Sequence, residues 1–244
     1  MAKNSSRKNI FNRPGYILYN SLLLAVFTCL TSSPAGAGAG TMETCGRKNE
    51  GKKILIIYES KYGSTADYVA RIARNLCTYG YRVDYDRVLN AADADIPAYD
   101  GYIIAAAIYF GNTHPGYKKF LDTHRATLAG RPVAYCHNAL NKARTGNSSP
   151  RTFWCFSYLQ LLKNYPEIFS LPDFTCSTCP DCSNLPAVPY WVGLMPGRWV
   201  PRNGCPTDYI AMEIGGYGGL KDYERLAAAD EYTERLVTNR FFEP

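Results

Sequence analysis

Two stretches of this chain are apolar along almost the whole length of a strand: Ile54-Leu-Ile-Ile-Tyr58, entered from Lys53, and Tyr102-Ile-Ile-Ala-Ala-Ala-Ile108. A strand with no polar face must be covered on both sides, which is the position of a central strand in a parallel sheet. After the first of them, Val69, Ile72, Ala73 and Leu76 share one face of a helix over about 65–76, and Gly80 suits its stop. Strand and helix alternate in this way after Gly51, which predicts an α/β fold with helices on both faces of a parallel sheet.

The other elements follow the same alternation. Tyr81-Arg-Val-Asp-Tyr-Asp-Arg-Val88 interleaves apolar and charged residues and reads as a half-exposed edge strand. Tyr117, Phe120, Leu121 and Leu128 mark a helix face, and Pro132-Val-Ala-Tyr-Cys136 is a fourth strand with its proline at the start, where a missing donor does least harm. Pro150 opens a helix to about Asn164, Ala187 to Leu194 is a fifth strand, and Tyr223, Leu226, Ala227, Leu236 and Val237 outline a closing helix. Five such strands predict a doubly wound sheet ordered 2-1-3-4-5. In sheets of that order the ligand crevice lies where strands 1 and 3 diverge, a general rule and not a deduction from these residues.

The 244 residues suffice for one such domain with extensions. The formal charge of +6 suggests a polyanionic partner, but Lys3, Arg7, Lys8 and Arg13 precede any acid, and removing those four leaves +2. No recognition helix, zinc-finger spacing or basic-aromatic stripe is present, so no nucleic-acid partner is expected. The basic start, the apolar centre Tyr16 to Leu30 and the small residues Ser32 to Gly40 follow the order of a secretory signal, with A-x-A sites at Ala35–Ala37 and Ala37–Ala39. An uncleaved anchor is the rival reading. Ser6-Arg7-Lys8-Asn9-Ile10-Phe11 also resembles a twin-arginine export signal, with Lys8 in place of the second arginine. The expected organisation is a signal or anchor segment with linker over 1–50, giving export or membrane attachment on a side left open, followed by one domain over 51–244.

The first strand runs into Glu59-Ser60-Lys61-Tyr62-Gly63-Ser64-Thr65 and then the helix. Ser60, Ser64 and Thr65 offer hydroxyl donors, Gly63 permits close backbone approach, and the free N–H groups of the helix's first turn favour a phosphate dianion. The same residues would also serve as a plain turn and helix cap. Across the predicted crevice, strand 3 is followed by Tyr109-Phe110-Gly111-Asn112-Thr113-His114. Tyr109 and Phe110 can cover an aromatic ring system, and the backbone from Gly111 to Thr113 can bond its polar edge.

Three segments, Ile54 to Thr65, Ala105 to His114 and Asn138-Ala-Leu140, resemble the flavodoxin-domain family, and within it the branch of menaquinone-dependent protoporphyrinogen IX dehydrogenases. The resemblance extends over roughly residues 52–240 and weakens between 165 and 220. It implies a flavodoxin-like fold with FMN as cofactor. The phosphate is assigned to Ser60, Lys61, Tyr62, Gly63, Ser64 and Thr65, and the ring to Tyr109, Phe110, Gly111, Asn112 and Thr113 with Asn138. It further implies an oxidoreductase that oxidises protoporphyrinogen IX, a tetrapyrrole, and passes electrons to a quinone. Flavodoxins usually carry threonine where Tyr62 stands, so one hydroxyl contact is lost. Two alternatives remain: an electron carrier serving a redox protein, with no small-molecule substrate, and an exported, cysteine-rich, non-enzymatic binding module. No side chain is assigned as acid or base.

A cysteine-containing insertion near 171–186 carries Cys176-Ser-Thr-Cys179-Pro-Asp-Cys182. This spacing can hold three corners of an iron–sulfur cluster or another metal, with Cys205 as a possible fourth ligand. The triplet precedes strand 5 and Cys205 follows it, so the length of that strand, about 23 Å, separates them. Disulfides are the preferred reading: loss of Cys29 with a signal leaves an even count of eight. Cys45, before strand 1, and Cys77, at the end of helix 1, lie at the same end of the sheet as the triplet, and Cys136 and Cys155 read as buried and inert. A second, aromatic insertion near 195–219 includes much of Trp191 to Arg202, which can cover a planar tetrapyrrole with Arg198 and Arg202 on its propionates, rest on a membrane, or simply pack.

Overall fold

A computed structural model describes residues 42–46, 51–60, 63–91, 96, 99–109, 112–139, 161, 164–169, 192–196, 198–199, 221–222 and 226–243. All fall in one compact unit, Gly38–Val200 with Leu220–Pro244. The elements are β1 (Glu43–Cys45), β2 (Lys53–Tyr58), α1 (Ser64–Thr78), β3 (Arg82–Arg87), α2 (Val88–Ala91), β4 (Gly101–Tyr109), β5 (Asn112–Thr113), α3 (Pro115–Thr123), α4 (Arg125–Leu128), β6 (Val133–Ala139), β7 (Val192–Pro196), β8 (Arg198–Trp199), β9 (Lys221–Asp222) and α5 (Ala227–Thr238).

The main sheet is ordered β1-β3-β2-β4-β6-β7, with β5 folded back on β4. Five of its strands, β3, β2, β4, β6 and β7, are mutually parallel. The whole order differs from the expected five-strand sheet because β1 adds an antiparallel strand outside β3. The segment read as a half-exposed edge is therefore flanked on both sides, and Val83 and Asp84 in it are buried. Asp84 is held there by Thr44 Oγ1 at 2.7 Å and the Tyr99 hydroxyl at 3.0 Å, so a charged residue in that strand pins the added one.

Ile54, Leu55, Ile56 and Ile57 are fully buried, as the absence of a polar face in β2 requires. Each such side chain contributes about 1.5–3 kcal/mol relative to an exposed one. The crossovers run from β2 to β3 through α1 and from β4 to β6 through α3, in opposite directions along the sheet, and right-handed connections then place α1 and α3 on opposite faces. α1 packs against α5 and α2 against α3. Arg71 Nε and Nη2 grip Asp230 at 2.6 and 3.0 Å, with Asn75 Nδ2 at 2.7 Å, which joins α1 to the first turn of α5 and holds the Asp230 carboxyl below its usual range.

Other boundaries move for physical reasons. The helix expected through Leu128 breaks at His124, whose backbone closes α3 by bonding to Phe120 while its ring reaches the Ala91 carbonyl at 3.1 Å. β6 extends beyond Cys136 to Ala139 because its partners β4 and β7 continue alongside it. Leu226, expected on the inner face of the closing helix, is exposed, and α5 instead buries Ala229, Tyr232, Thr233 and Leu236. Gly101, at the start of β4, admits the ring of Phe242: a Cβ there would lie 2.3 Å from it. The Phe242 ring is thereby buried under the amino end of the sheet, and Lys52 Nζ bonds its carbonyl at 2.7 Å.

Of the expected features, the N-terminal segment, the Cys176-Cys179-Cys182 triplet, Cys155, Cys205, the helix from Pro150 and the first half of the fifth strand lie outside the described residues, Leu161 and Asn164 of that helix excepted. Among the described residues no helix is long and apolar enough to cross a membrane, and no group of three His, Cys, Asp or Glu could hold a metal. Cys136 is buried, and burial pushes its thiol up to about 12, which leaves it without thiolate character.

Cys45 and Cys77 form a disulfide with a Cα–Cα distance of 6.2 Å, fastening β1 to the last turn of α1. Closing a loop of 32 residues removes unfolded-state entropy. Replacing both cysteines by serine should therefore lower unfolding stability by about 3–4 kcal/mol. Denaturant titration of the variant beside the oxidised and reduced protein measures it, and agreement of the variant with the reduced form is the expected result.

Candidate functional site

Strand register builds a step at the carboxyl end of the sheet. Tyr58, the last residue of β2, is level with Ala105 and Arg87, while β4 continues to Tyr109 and β6 carries Asn138 opposite Ala107. The chain leaving β2 turns beneath those longer strands. Tyr117, from α3, donates to the Ala105 carbonyl at 2.6 Å and so ties the far side of the step to β4.

Gly63 takes the N-cap position of α1 with φ 91 and ψ −33, a left-handed conformation that favours glycine. It offers no side chain to the helix's free N–H groups. Ser60 Oγ substitutes from outside, accepting from the Ala66 amide at 3.1 Å, and Asp67 N closes the first helical bond to Gly63 at 3.0 Å. Ser64 and Thr65 are buried at the helix start. Asn138 Nδ2 donates to Ser64 Oγ at 3.1 Å, a buried contact between residues 74 positions apart. Because Ser64 Oγ accepts there, its own hydroxyl proton remains available to donate.

This donor set suits a phosphate: hydroxyls, a helix N-terminus, and a glycine whose positive φ an L side chain rarely adopts. The carboxylate next to the loop, Glu59, is 3% exposed and neutralised by an ion pair with Arg87 Nη2. Its Oε1 also accepts from the Ser60 amide at 3.0 Å, while Oε2 is buried without a partner among the described residues. Sequence reasoning passed over this pair. The signal available was an acid closing an apolar strand, with a basic residue closing the next.

Of the residues expected to hold a ligand, Ser60, Gly63, Ser64, Thr65 and Asn138 converge at this end of the sheet. Lys61, Tyr62, Phe110 and Gly111 lie outside the described residues, and only the backbone of Tyr109 and Asn112 is described. β5 pairs antiparallel with β4 through Ile108–Thr113 and Tyr109–Asn112, so Asn112 and Thr113 lie back along the end of β4. Part of the Asn112–Thr113 backbone is thus committed to the ladder, which reduces the donors expected for a ring edge.

His114 is the N-cap of α3, its Nδ1 accepting from the Gly116 amide at 3.1 Å. Burial holds the imidazole below its ordinary pKa, opposed by Glu59 and assisted by Arg87. The unfolded chain therefore binds this proton more tightly, and acid favours unfolding. The contribution is intact above about pH 6.5 and is lost as the pH falls through that value towards the lower folded pKa. His114→Asn keeps a capping acceptor without the titrating charge, so melting temperatures of this variant between about pH 5 and 8 should flatten relative to the parent. An unchanged slope would assign the effect elsewhere.

Residues 55–171 match the family model described as "Flavodoxin domain". Protoporphyrinogen IX dehydrogenase [quinone] of Escherichia coli (strain K12) is 25% identical over 100 residues, 41% of this chain and 55% of that protein. The chain spans about half the length of the curated relatives it matches. Among solved structures, a flavodoxin, WrbA-like protein from Agrobacterium tumefaciens has a TM-score of 0.44 at 14% identity, covering 77% of this chain and 96% of that one. A Fusobacterium nucleatum flavodoxin bound to flavin mononucleotide has a TM-score of 0.35 at 16% identity, covering 48% and 66%. Over residues 55–171, then, the chain is similar to a flavodoxin domain.

Proposed function

We propose that this chain binds FMN at the carboxyl end of its sheet and acts as an FMN-dependent oxidoreductase, dehydrogenating a porphyrinogen of the protoporphyrinogen IX type with a quinone as acceptor. The observation that carries the reading is the buried Asn138–Ser64 contact. It joins the start of α1 to the carboxyl end of β6, two segments assigned to the same ligand, and leaves the Ser64 hydroxyl free to donate to a phosphate.

The described residues have distinct tasks in this reading. Gly63, Ser64, Thr65 and Ser60 hold the phosphate, and the first-turn amides of α1 supply its partial positive charge. Asn138 orients Ser64. The loop from Tyr109 to Thr113 is the proposed seat of the ring. FMN bound there supplies the oxidation of substrate and the return of the electrons to the quinone. The substrate and acceptor rest on the similarity to the E. coli dehydrogenase. We further propose that the domain is exported or attached through its N-terminal apolar segment, a location that the Cys45–Cys77 disulfide supports by pointing to an oxidising environment.

Purified protein refolded with FMN should show bound-flavin absorbance bands, and their absence would overturn the reading. Ser64→Ala should raise the FMN dissociation constant about tenfold to a hundredfold, since a hydrogen bond to a charged group is lost. Asn138→Ala, acting through Ser64, should have the smaller effect, with both followed by quenching of flavin fluorescence. The loaded protein should then consume protoporphyrinogen in the presence of a menaquinone analogue. Flavin binding without turnover would instead favour an electron carrier built on the same site.

A further inference from the structure

We propose that Glu59 and Arg87 are positioning residues of the phosphate cradle: the pair fixes Ser60 and, through it, the first turn of α1. The inference rests on the FMN reading above and extends it to two residues that touch no assigned ligand atom. Glu59 is the last residue before the cradle, and its Oε1 accepts from both Arg87 Nη2 and the Ser60 amide. Ser60 Oγ in turn accepts from the Ala66 amide at 3.1 Å, in the first turn of the helix. A continuous path thus runs from the end of β3, across the end of β2, to the first turn of the helix whose start would face a phosphate.

An ordinary stabilising ion pair is the simpler account, and the burial argues against it. The Glu59 side chain is 4% exposed and its Oε2 has no partner among the described residues, whereas Arg87 is 29% exposed. A carboxylate half-satisfied at that depth is costly, and a well-packed apolar pair would serve stability at least as well. What an apolar pair could not do is accept from the Ser60 amide. With that amide held, Ser60 is committed to the geometry in which its oxygen caps α1, and Gly63 can remain in its left-handed conformation without a side-chain cap of its own. Charge balance gives a second reason. An unpaired Glu59 beside the cradle would repel a phosphate, and Arg87 cancels that charge without placing a cation that would compete for the ligand.

The test separates the phosphate from the rest of the ligand. Apo-protein is titrated with FMN and, separately, with riboflavin, which lacks the phosphate, following flavin fluorescence. For Glu59→Ala and Arg87→Met the FMN dissociation constant should rise about tenfold or more while that of riboflavin changes less than about twofold. The double variant should be no weaker than the worse single one, because the two act as a unit. Arg87→Lys, which keeps the charge but not the planar fork, should fall between parent and Arg87→Met. Equal losses for both ligands, or an unchanged FMN constant, would overturn the positioning role while leaving the FMN reading intact. If the parent binds no FMN, both fail together. Circular dichroism checks folding, and should a single variant not fold, the double variant and Arg87→Lys carry the comparison.

Discussion

The unequal length of neighbouring strands governs the described half of this molecule's chemistry. β2 ends at Tyr58, level with Ala105, while β4 runs on to Tyr109 and β6 to Ala139. That difference is possible because Ile54 to Ile57 are buried from both faces and lock β2 between β3 and β4 in a single register. A slip would bury Lys53 or expose the isoleucines. The step left above Tyr58 is where the chain leaves the sheet, and Ser60, Gly63, Ser64 and Thr65 follow it at the start of α1.

Polar groups at this end are arranged to hold shape without holding net charge. Glu59 is matched by Arg87, Ser64 by Asn138, and the open amides of α1 by Ser60 from outside the helix. Such a network exchanges some stability for preorganisation, since its buried members are only partly satisfied. The opposite end of the sheet shows the reverse economy. There the Phe242 ring fills the space over Gly101 and a disulfide secures β1, both directed at stability.

Much of this was legible before any coordinates. The unbroken apolarity of Ile54 to Tyr58 and Tyr102 to Ile108 left no partnering except a covered parallel sheet, and both emerged as central strands. The Ser60–Thr65 loop announced itself by composition. The added strand β1 did not, because three residues, Glu43-Thr-Cys45, carry no period and owe their conformation to Asp84 and Tyr85 across the ladder. Nor did His114 as a helix cap, since a loop histidine reads alike whether it binds a ligand or accepts from Gly116. Leu226 misled through its hydrophobicity: it falls just before α5 begins, off the face that packs.

The amino-acid sequence by itself determined the local elements and their chemistry: which strands are covered, where helices start, and which loop is rich in hydroxyls and glycine. These are properties of windows of a few residues, expressed through periodicity and backbone freedom. Tertiary structure alone decided the pairings. Glu59 with Arg87 is 28 residues apart, Cys45 with Cys77 is 32, and Asn138 with Ser64 is 74. Each depends on strand order and register, which arise from burying the whole core at once, so no local pattern could encode them. The cradle's composition was written in one short segment, and its shape is imposed by residues from three strands.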